Sequence, residues 1–310
     1  MFDEDVVIIG GGPAGLSAGT ILADAGLKTL VLEKEDLGGY LKKVERFNGH
    51  PDYPEGVAGP ELAERLIARA EQSGLRMEFG EVVEIESYTS CRSVTCADGK
   101  NYTTTAVILA GGRQARKINI PGEVDFLNKG VIHCVLCDAG LYNGKTVAVC
   151  GGGNTGVSDA LHLARYADRV IVIEQQSALT AMDKLTALAA ANGKLEFLYG
   201  TTVSKITGSQ VVESIQVRKL STGETSNIGV DGVVIDVGYS PDTRYLDGIL
   251  PLDAMGRIIV NEEYLDTEIE GVFAIGDIRS ETSLNLMGAI RDAEKTAAAI
   301  LDIFMKELKR

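Results

Sequence analysis

The stretch DVVIIGGGPAGLSA, residues 5–18, decides the fold, because its pattern returns as KTVAVCGGGNTGVSDA at residues 145–160. In each copy an apolar, β-branched run leads into G-x-G-x-x-G and then into a helix of small residues, LSAGTILADAG in one and VSDALHLARYA in the other. A continuous run of that kind reads as a parallel strand buried on both faces. Each copy then closes with a second apolar strand ending in an acid, TLVLE at Glu33 and VIVIE at Glu174. The acid stands 23 residues after the first motif glycine both times. Two dinucleotide-binding β-α-β units are the economical reading, an α/β chain with two Rossmann-like domains.

The residues of each loop have defined roles. Gly10, Gly12 and Gly15 make the tight turn, let the backbone approach a pyrophosphate and let the helix pack close to the strand; the helix N-terminus offers its free N–H groups to the anion. Glu33 then accepts hydrogen bonds from a ribose. Gly151, Gly153, Gly156 and Glu174 repeat the arrangement. A 2′-phosphate needs Arg or Lys after the second strand, whereas this chain has Glu174, Gln175 and Gln176 there and no basic residue before Lys184. A carboxylate facing a phosphate repels it, so the second site favours NAD, or another adenosine cofactor with a free ribose, over NADP.

Around these units the chain supplies β-rich appendages. A helix is expected in GPELAERLIARAEQSG, with Leu62, Leu66, Ile67 and Ala70 on one face. Strand-like alternation follows from Met77 to Gly112 and again from Leu195 to Gly238. Crossover points are expected near residues 113–120 and 240–243, and a closing helix over 290–310. A length of 310 residues exceeds what one core usually fills. The net charge of -14 argues against nucleic acid, whose binding depends on Lys and Arg. No apolar run is long enough to span a bilayer and the N-terminus begins acidic, so a cytoplasmic protein without a membrane partner is expected.

Five cysteines do not make a disulfide framework in a chain of this length. Cys134 and Cys137, however, form a Cys-x-x-Cys, a spacing that closes a small ring on oxidation and lowers one thiol's pKa, giving a thiolate that exchanges disulfides. Asp138, directly after, is placed to hand protons to a departing thiolate. The competing readings are a zinc site, which needs a second pair, and two buried cysteines without redox work. Cys91 and Cys96 have the wrong spacing for that second pair, and His50, His133 and His162 are scattered, so no metal is expected. Cys150 reads as a small packed residue.

Taken together, GGGPAG (10–15), GGYL (38–41), VERFNGHPDYPEGVAGPEL (44–62), AVILAGG (106–112), IPGE (120–123), CVLCD (134–138), GGGNTG (151–156), GVVIDVGYSPDT (232–243) and GVFAIGD (271–277) resemble the low-molecular-weight thioredoxin reductases along essentially the whole chain. The resemblance implies an FAD-binding domain from residues 1–114 and 242–310, interrupted by a pyridine-nucleotide-type domain, 115–241, that carries the dithiol. It implies FAD on Gly10, Gly12, Pro13, Ala14, Gly15 and Glu33, with Gly38, Gly39, Leu41, Asn48 and Gly111 near the flavin and Asp277 at its phosphate and ribityl end. By the same carry-over Asn154 and Thr155 join the second nucleotide site, Cys137 faces the flavin, Cys134 attacks the external disulfide and Asp138 donates the proton. A homodimer and a thioredoxin-like protein substrate are implied as well.

The departures shape the functional expectation. Many NADPH-using relatives carry His-Arg-Arg where this chain has Glu174-Gln175-Gln176, and an acid there is closer to the NADH-using flavoprotein subunit of alkyl hydroperoxide reductase. The usual Ala-Thr-Gly is Ala110-Gly111-Gly112. The family's Arg-Gln-Ala near the flavin falls on Leu284-Asn285-Leu286, and its late Gly-Asp-Gly on Arg291-Asp292-Ala293. The leading expectation is an FAD-dependent disulfide reductase that takes electrons from NADH and delivers them to a thioredoxin-like protein. The alternatives are the same dithiol chemistry fed by ferredoxin, a deazaflavin or a second flavin, a dithiol oxidase, and a non-catalytic flavin redox sensor.

Overall fold

In the computed structural model, which describes residues 2–47, 53–132, 134–246 and 248–307, the run EDVVII forms the strand Glu4–Ile9. Successive side chains of a strand point to opposite faces. Val6 and Ile8 therefore enter one apolar cluster with Leu16, Leu22 and Ile300, while Val7 and Ile9 enter another with Leu32, Leu109 and Ile278. A strand buried on both faces has no polar alternation to show, which is why its sequence is continuous in Val and Ile.

The chain divides into two compact units, residues 1–114 with 240–310, and residues 115–239. In the first, the strands Arg76–Phe79, Thr29–Glu33, Glu4–Ile9, Asn101–Leu109 and Val272–Ala274 pair in parallel in that order. Asn101–Leu109 also serves a second set of strands. Its first residues pair antiparallel with Arg92–Cys96, which pairs in turn with Val82–Ser87. The helix Pro13–Asp24 packs on the helix Leu286–Glu307, which begins a turn earlier than the sequence pattern places it.

In the second unit the parallel strands Leu195–Tyr199, Arg169–Glu174, Thr146–Cys150, Gly232–Ile235 and Val131–Ile132 form one sheet. Helix Asn154–Leu163 covers one face through Val157, Ala160 and Leu163. The antiparallel strands Thr201–Gly208, Val212–Lys219 and Thr225–Gly229 cover the other through Val203, Ile206 and Ile215. Among the described residues no helix is long and apolar enough to cross a membrane.

One buried ion pair ties the last helix to the GVFAIGD turn. Arg279 Nε and Nη2 donate to the two Asp292 oxygens at 2.7 and 2.9 Å, and the Gly276 N–H donates to Asp292 Oδ2 at 2.9 Å. Both side chains are 8% exposed. The position matched to a glycine-rich family motif thus carries a structural clasp. Removing Asp292 takes away the two buried acceptors of Arg279 and leaves it, of its carboxylate partners, only the exposed Glu262, at 2.8 Å from Nη1, so Asp292→Ala is expected to cost about 2–4 kcal/mol of stability, read from urea unfolding.

Candidate functional site

The first loop is shaped by what a side chain would strike. Gly10 has φ +112°, and a Cβ there would stand 2.4 Å from the Ala110 carbonyl oxygen. The Gly11 N–H donates to Glu33 Oε2 at 2.7 Å, and the Glu35 N–H donates to Glu33 Oε1 at 2.8 Å. Helix Pro13–Asp24 starts from Gly12 without a side-chain cap, and its first bond runs from the Leu16 N–H to the Gly12 carbonyl at 2.9 Å. Pro13 has no N–H, so the Ala14 and Gly15 N–H groups form the helix mouth. A Cβ at Gly12 would meet no protein atom within 4 Å. An open face, free helix-terminal donors and a carboxylate with lone pairs to spare fit the diphosphate and ribose of an adenine dinucleotide.

Other predicted contacts gather at this loop. The Gly38 N–H donates to the Gly11 carbonyl at 2.8 Å. Gly39, at φ +52°, lies so near Gly12 that its Cβ would be 3.2 Å from the Gly12 Cα. It leads into the short helix Gly39–Lys43, which buries Leu41. A Cβ on Gly111 would come within 3.3 Å of Ile278. The Asp277 carboxylate accepts from Arg113 Nε at 2.9 Å. Asn48 lies outside the described residues.

The second loop repeats the first bond for bond. The Gly152 N–H donates to Glu174 Oε2 at 2.6 Å, and the Gln176 N–H donates to Glu174 Oε1 at 2.8 Å. Gly151 has φ +118°, and a Cβ there would stand 2.1 Å from the Asp236 carbonyl oxygen. The helix beginning at Asn154 again lacks a side-chain cap, and its first bond runs from the Val157 N–H to the Gly153 carbonyl. Asn154 plays a structural part, since its Oδ1 accepts the Met182 N–H at 2.8 Å and folds residues 180–182 over the loop. Thr155 sits half-buried in the first turn of this helix.

A cleft of about 350 Å³ lies over this loop, lined by Gly151, Gly152, Gly153 and Glu174 and also by Thr180, Thr201, Thr202 and Asp236. No Lys, Arg or His is among its lining residues. The threonines and Asp236 escape sequence reading because they come from separate segments: the loop after Arg169–Glu174, the start of Thr201–Gly208 and the residue after Gly232–Ile235. The available hint was Asp236 itself, a charged residue closing the apolar strand GVVI.

The dithiol segment belongs to the same unit as this cleft. Cys134 is disulfide-bonded and half-buried, whereas Cys91, Cys96 and Cys150 are free. The short helix Val135–Asp138 carries Cys137 in its backbone, the Cys137 side chain lying outside the described set. It packs against helix Asn154–Leu163, and the Asp138 N–H donates to the Cys134 carbonyl at 3.0 Å. His133 and His50 lie outside the described residues. Burial, then the charges of Asp236 and Glu123, push the Cys150 thiol up to about 12, which leaves it inert. Among the described residues no His, Cys, Asp or Glu group is arranged to hold a metal.

Residues 4–297 match the family model described as "Pyridine nucleotide-disulphide oxidoreductase". The chain is 34% identical to the thioredoxin reductase of Treponema pallidum, over 97% of this chain and 98% of that one. It is 32% identical to that of Bacillus subtilis, over 98% and 96% respectively. Among solved structures, the thioredoxin reductase of Lactococcus lactis superposes with a TM-score of 0.89 at 29% identity, over 98% of this chain and all of that one.

The glycine geometry separates folding from binding. Gly10→Ala and Gly151→Ala force a Cβ against a carbonyl oxygen in the left-handed region, and each is expected to destabilise its unit by more than about 2 kcal/mol. Gly12→Ala, with an allowed backbone and open space, is expected to change stability by less than about 0.5 kcal/mol while weakening dinucleotide retention at least tenfold, because the Cβ fills the approach to the pyrophosphate. Urea unfolding and titration of the apoprotein with FAD read the two effects.

Proposed function

The chain belongs to the pyridine nucleotide-disulphide oxidoreductase family and, within it, to the thioredoxin reductases, and from that premise we propose that it passes electrons from NADH through FAD and the Cys134–Cys137 dithiol to a disulfide of a thioredoxin-like protein. The observation that carries the reading is the disulfide at Cys134 on the unit that also holds the second nucleotide cleft. Residues Gly10, Gly12, Pro13, Ala14, Gly15, Glu33, Gly38, Gly39, Leu41, Asn48, Gly111 and Asp277 would hold FAD, which when bound accepts a hydride from a nicotinamide and returns the electron pair to a disulfide.

The residues of this chain do the rest. In the reduced dithiol the Cys134 thiolate attacks one sulfur of the partner's disulfide, forming a mixed disulfide and releasing the partner's first thiolate. Cys137 then attacks the Cys134 sulfur, closing the Cys134–Cys137 disulfide and releasing the second thiolate. Asp138 supplies a proton to a leaving thiolate. A homodimer is part of the same proposal and is checked by light scattering.

The choice of NADH rests on charge. The cleft is lined by Glu174 and Asp236 and by no cation, so a 2′-phosphate would meet repulsion without a guanidinium to hold it. Each Glu174 oxygen accepts one backbone N–H and keeps a lone pair for a ribose hydroxyl.

Under anaerobic conditions NADH is expected to bleach the flavin at least tenfold faster than NADPH at equal concentration. Preferential bleaching by NADPH refutes the Glu174 argument, and bleaching only by reduced ferredoxin or a reduced flavin moves the donor out of the pyridine nucleotides. Gln175→Arg with Gln176→Arg should raise the NADPH rate. Cys134→Ser should keep flavin reduction and abolish transfer to thioredoxin; surviving transfer overturns the assigned roles.

A further inference from the structure

The chain leaves the first unit after Gln114 and re-enters it at Ser240. The two crossings pair as a ribbon, Gln114–Ala115 with Tyr239–Ser240, and the Arg116 N–H extends it by donating to the Gly238 carbonyl at 2.9 Å. A ribbon of two strands, each two residues long, is marginal in water by itself. What holds it stands in the first unit, where an ion pair flanks each crossing. On the outgoing side Arg113, directly before the ribbon, donates from Nε to Asp277 Oδ2 at 2.9 Å. On the returning side Asp242, two residues after the ribbon, accepts from Lys34 Nζ at 2.8 Å. None of the four side chains is more than 29% exposed, so salt screens these pairs less than it screens surface ones.

Both anchors belong to the first dinucleotide site. Lys34 follows Glu33, and the bond from the Glu35 N–H to Glu33 Oε1 folds residues 33–35 into the turn that carries it. Asp277 follows Gly276, whose N–H is held by Asp292. The internal repeat serves as a control. Lys34 stands 24 residues after Gly10, and the residue 24 after Gly151 is the uncharged Gln175. Arg113 stands three residues after Ala110, whose N–H donates to the Ile9 carbonyl; Asp236 makes the matching bond to the Cys150 carbonyl, and three residues after it comes Tyr239. A dinucleotide turn therefore folds without either cation, and the cations are present where the chain crosses.

We propose that Arg113–Asp277 and Lys34–Asp242 are latches through which an adenine dinucleotide bound at the first loop orders both crossings, so that occupancy of that loop sets the stiffness of the two links to the unit that carries the dithiol. The inference rests on the reading of the first loop as the FAD site. A ribose on Glu33 immobilises the turn that presents Lys34. A ligand hydroxyl on Asp277 fixes the carboxylate that Arg113 holds, since a carboxylate has about four lone-pair sites and Arg113 Nε takes one. With one member of each pair already fixed, closing the pair costs less conformational entropy. The linkage is reciprocal: whatever order the ligand confers on the crossings, the latches return as affinity for the ligand.

Amide hydrogen exchange of the full chain, without and with FAD, tests the latches, beside titration of the apoprotein with FAD. Loading is expected to slow exchange over residues 114–116 and 239–242 roughly tenfold in the wild type. In Arg113→Gln the slowing over 114–116, and in Lys34→Gln the slowing over 239–242, should fall to roughly threefold or less. Each variant should also raise the FAD dissociation constant roughly twofold to fivefold, the worth of one such ion pair. The swapped pair, Lys34→Asp with Asp242→Lys, should restore both readouts, which a direct contact of Lys34 with the cofactor would not allow. Equal slowing in the wild type and the variants, or a swapped pair that restores neither readout, overturns the latches. FAD that binds without changing exchange at the crossings overturns them as well and leaves the cofactor site standing. An apoprotein that takes up no FAD overturns the cofactor reading, and the latches fall with it.

Discussion

One hydrogen bond organises both halves of the molecule: a carboxylate at the end of a second parallel strand accepts the N–H of the middle glycine of the preceding turn. Glu33 does this for Gly11 and Glu174 for Gly152. The bond holds the turn against the neighbouring strand end, and it leaves no room for a side chain: a Cβ on Gly11 would come within 2.6 Å of Leu37, and one on Gly152 within 2.7 Å of the Glu174 carboxylate itself. With the turn fixed, the following helix must start where its uncapped N–H groups face outward over the loop. The anion site is thus a by-product of packing, which is why it recurs wherever this strand, turn and acid recur.

The same carboxylate restricts what each loop can accept. A group already receiving two backbone N–H bonds is fixed as an acceptor, suited to a ribose diol and opposed to a phosphate. In the second unit Glu174 is joined on the cleft lining by Asp236, and the described lining residues include no Lys, Arg or His. An anionic ligand entering such a cleft depends on the helix terminus for attraction. Charge selection is therefore a consequence of the same turn and acid that build the loop.

Much of this was legible in the sequence because it is local. The β-branched runs, the glycine spacing, the terminal acids and the Cys-x-x-Cys each fit within about thirty residues, and the periodicity that reveals them is the periodicity that packs them. What stayed hidden joins distant segments. Asp236 is far along the chain from the Gly151 turn and meets it because a parallel sheet places the end of Gly232–Ile235 beside the end of Thr146–Cys150. Thr180 reaches the cleft from the loop after Arg169–Glu174, and Thr201 and Thr202 from the start of Thr201–Gly208. A role of Asn154 was hidden in the same way, since its side-chain oxygen holds the N–H of Met182, 28 residues on.

The altered segment before the last helix follows the same logic of local substitution within a fixed frame. Leu284 adopts φ +49°, an unfavourable backbone for a leucine, and Asn285 follows it with its side-chain oxygen on the Gly288 N–H at 2.9 Å. That is an N-cap, so the asparagine standing in a flavin-facing family motif is spent on starting a helix. About two turns further on, Asp292 closes on Arg279 and on the Gly276 N–H, fixing the turn that presents Asp277. The altered Asn285 therefore serves the entry of the last helix, while Asp292, where the chain keeps the family's aspartate, holds the GVFAIGD turn. Asp277 follows the Gly276 that Asp292 holds, and its own carboxylate accepts from Arg113 Nε.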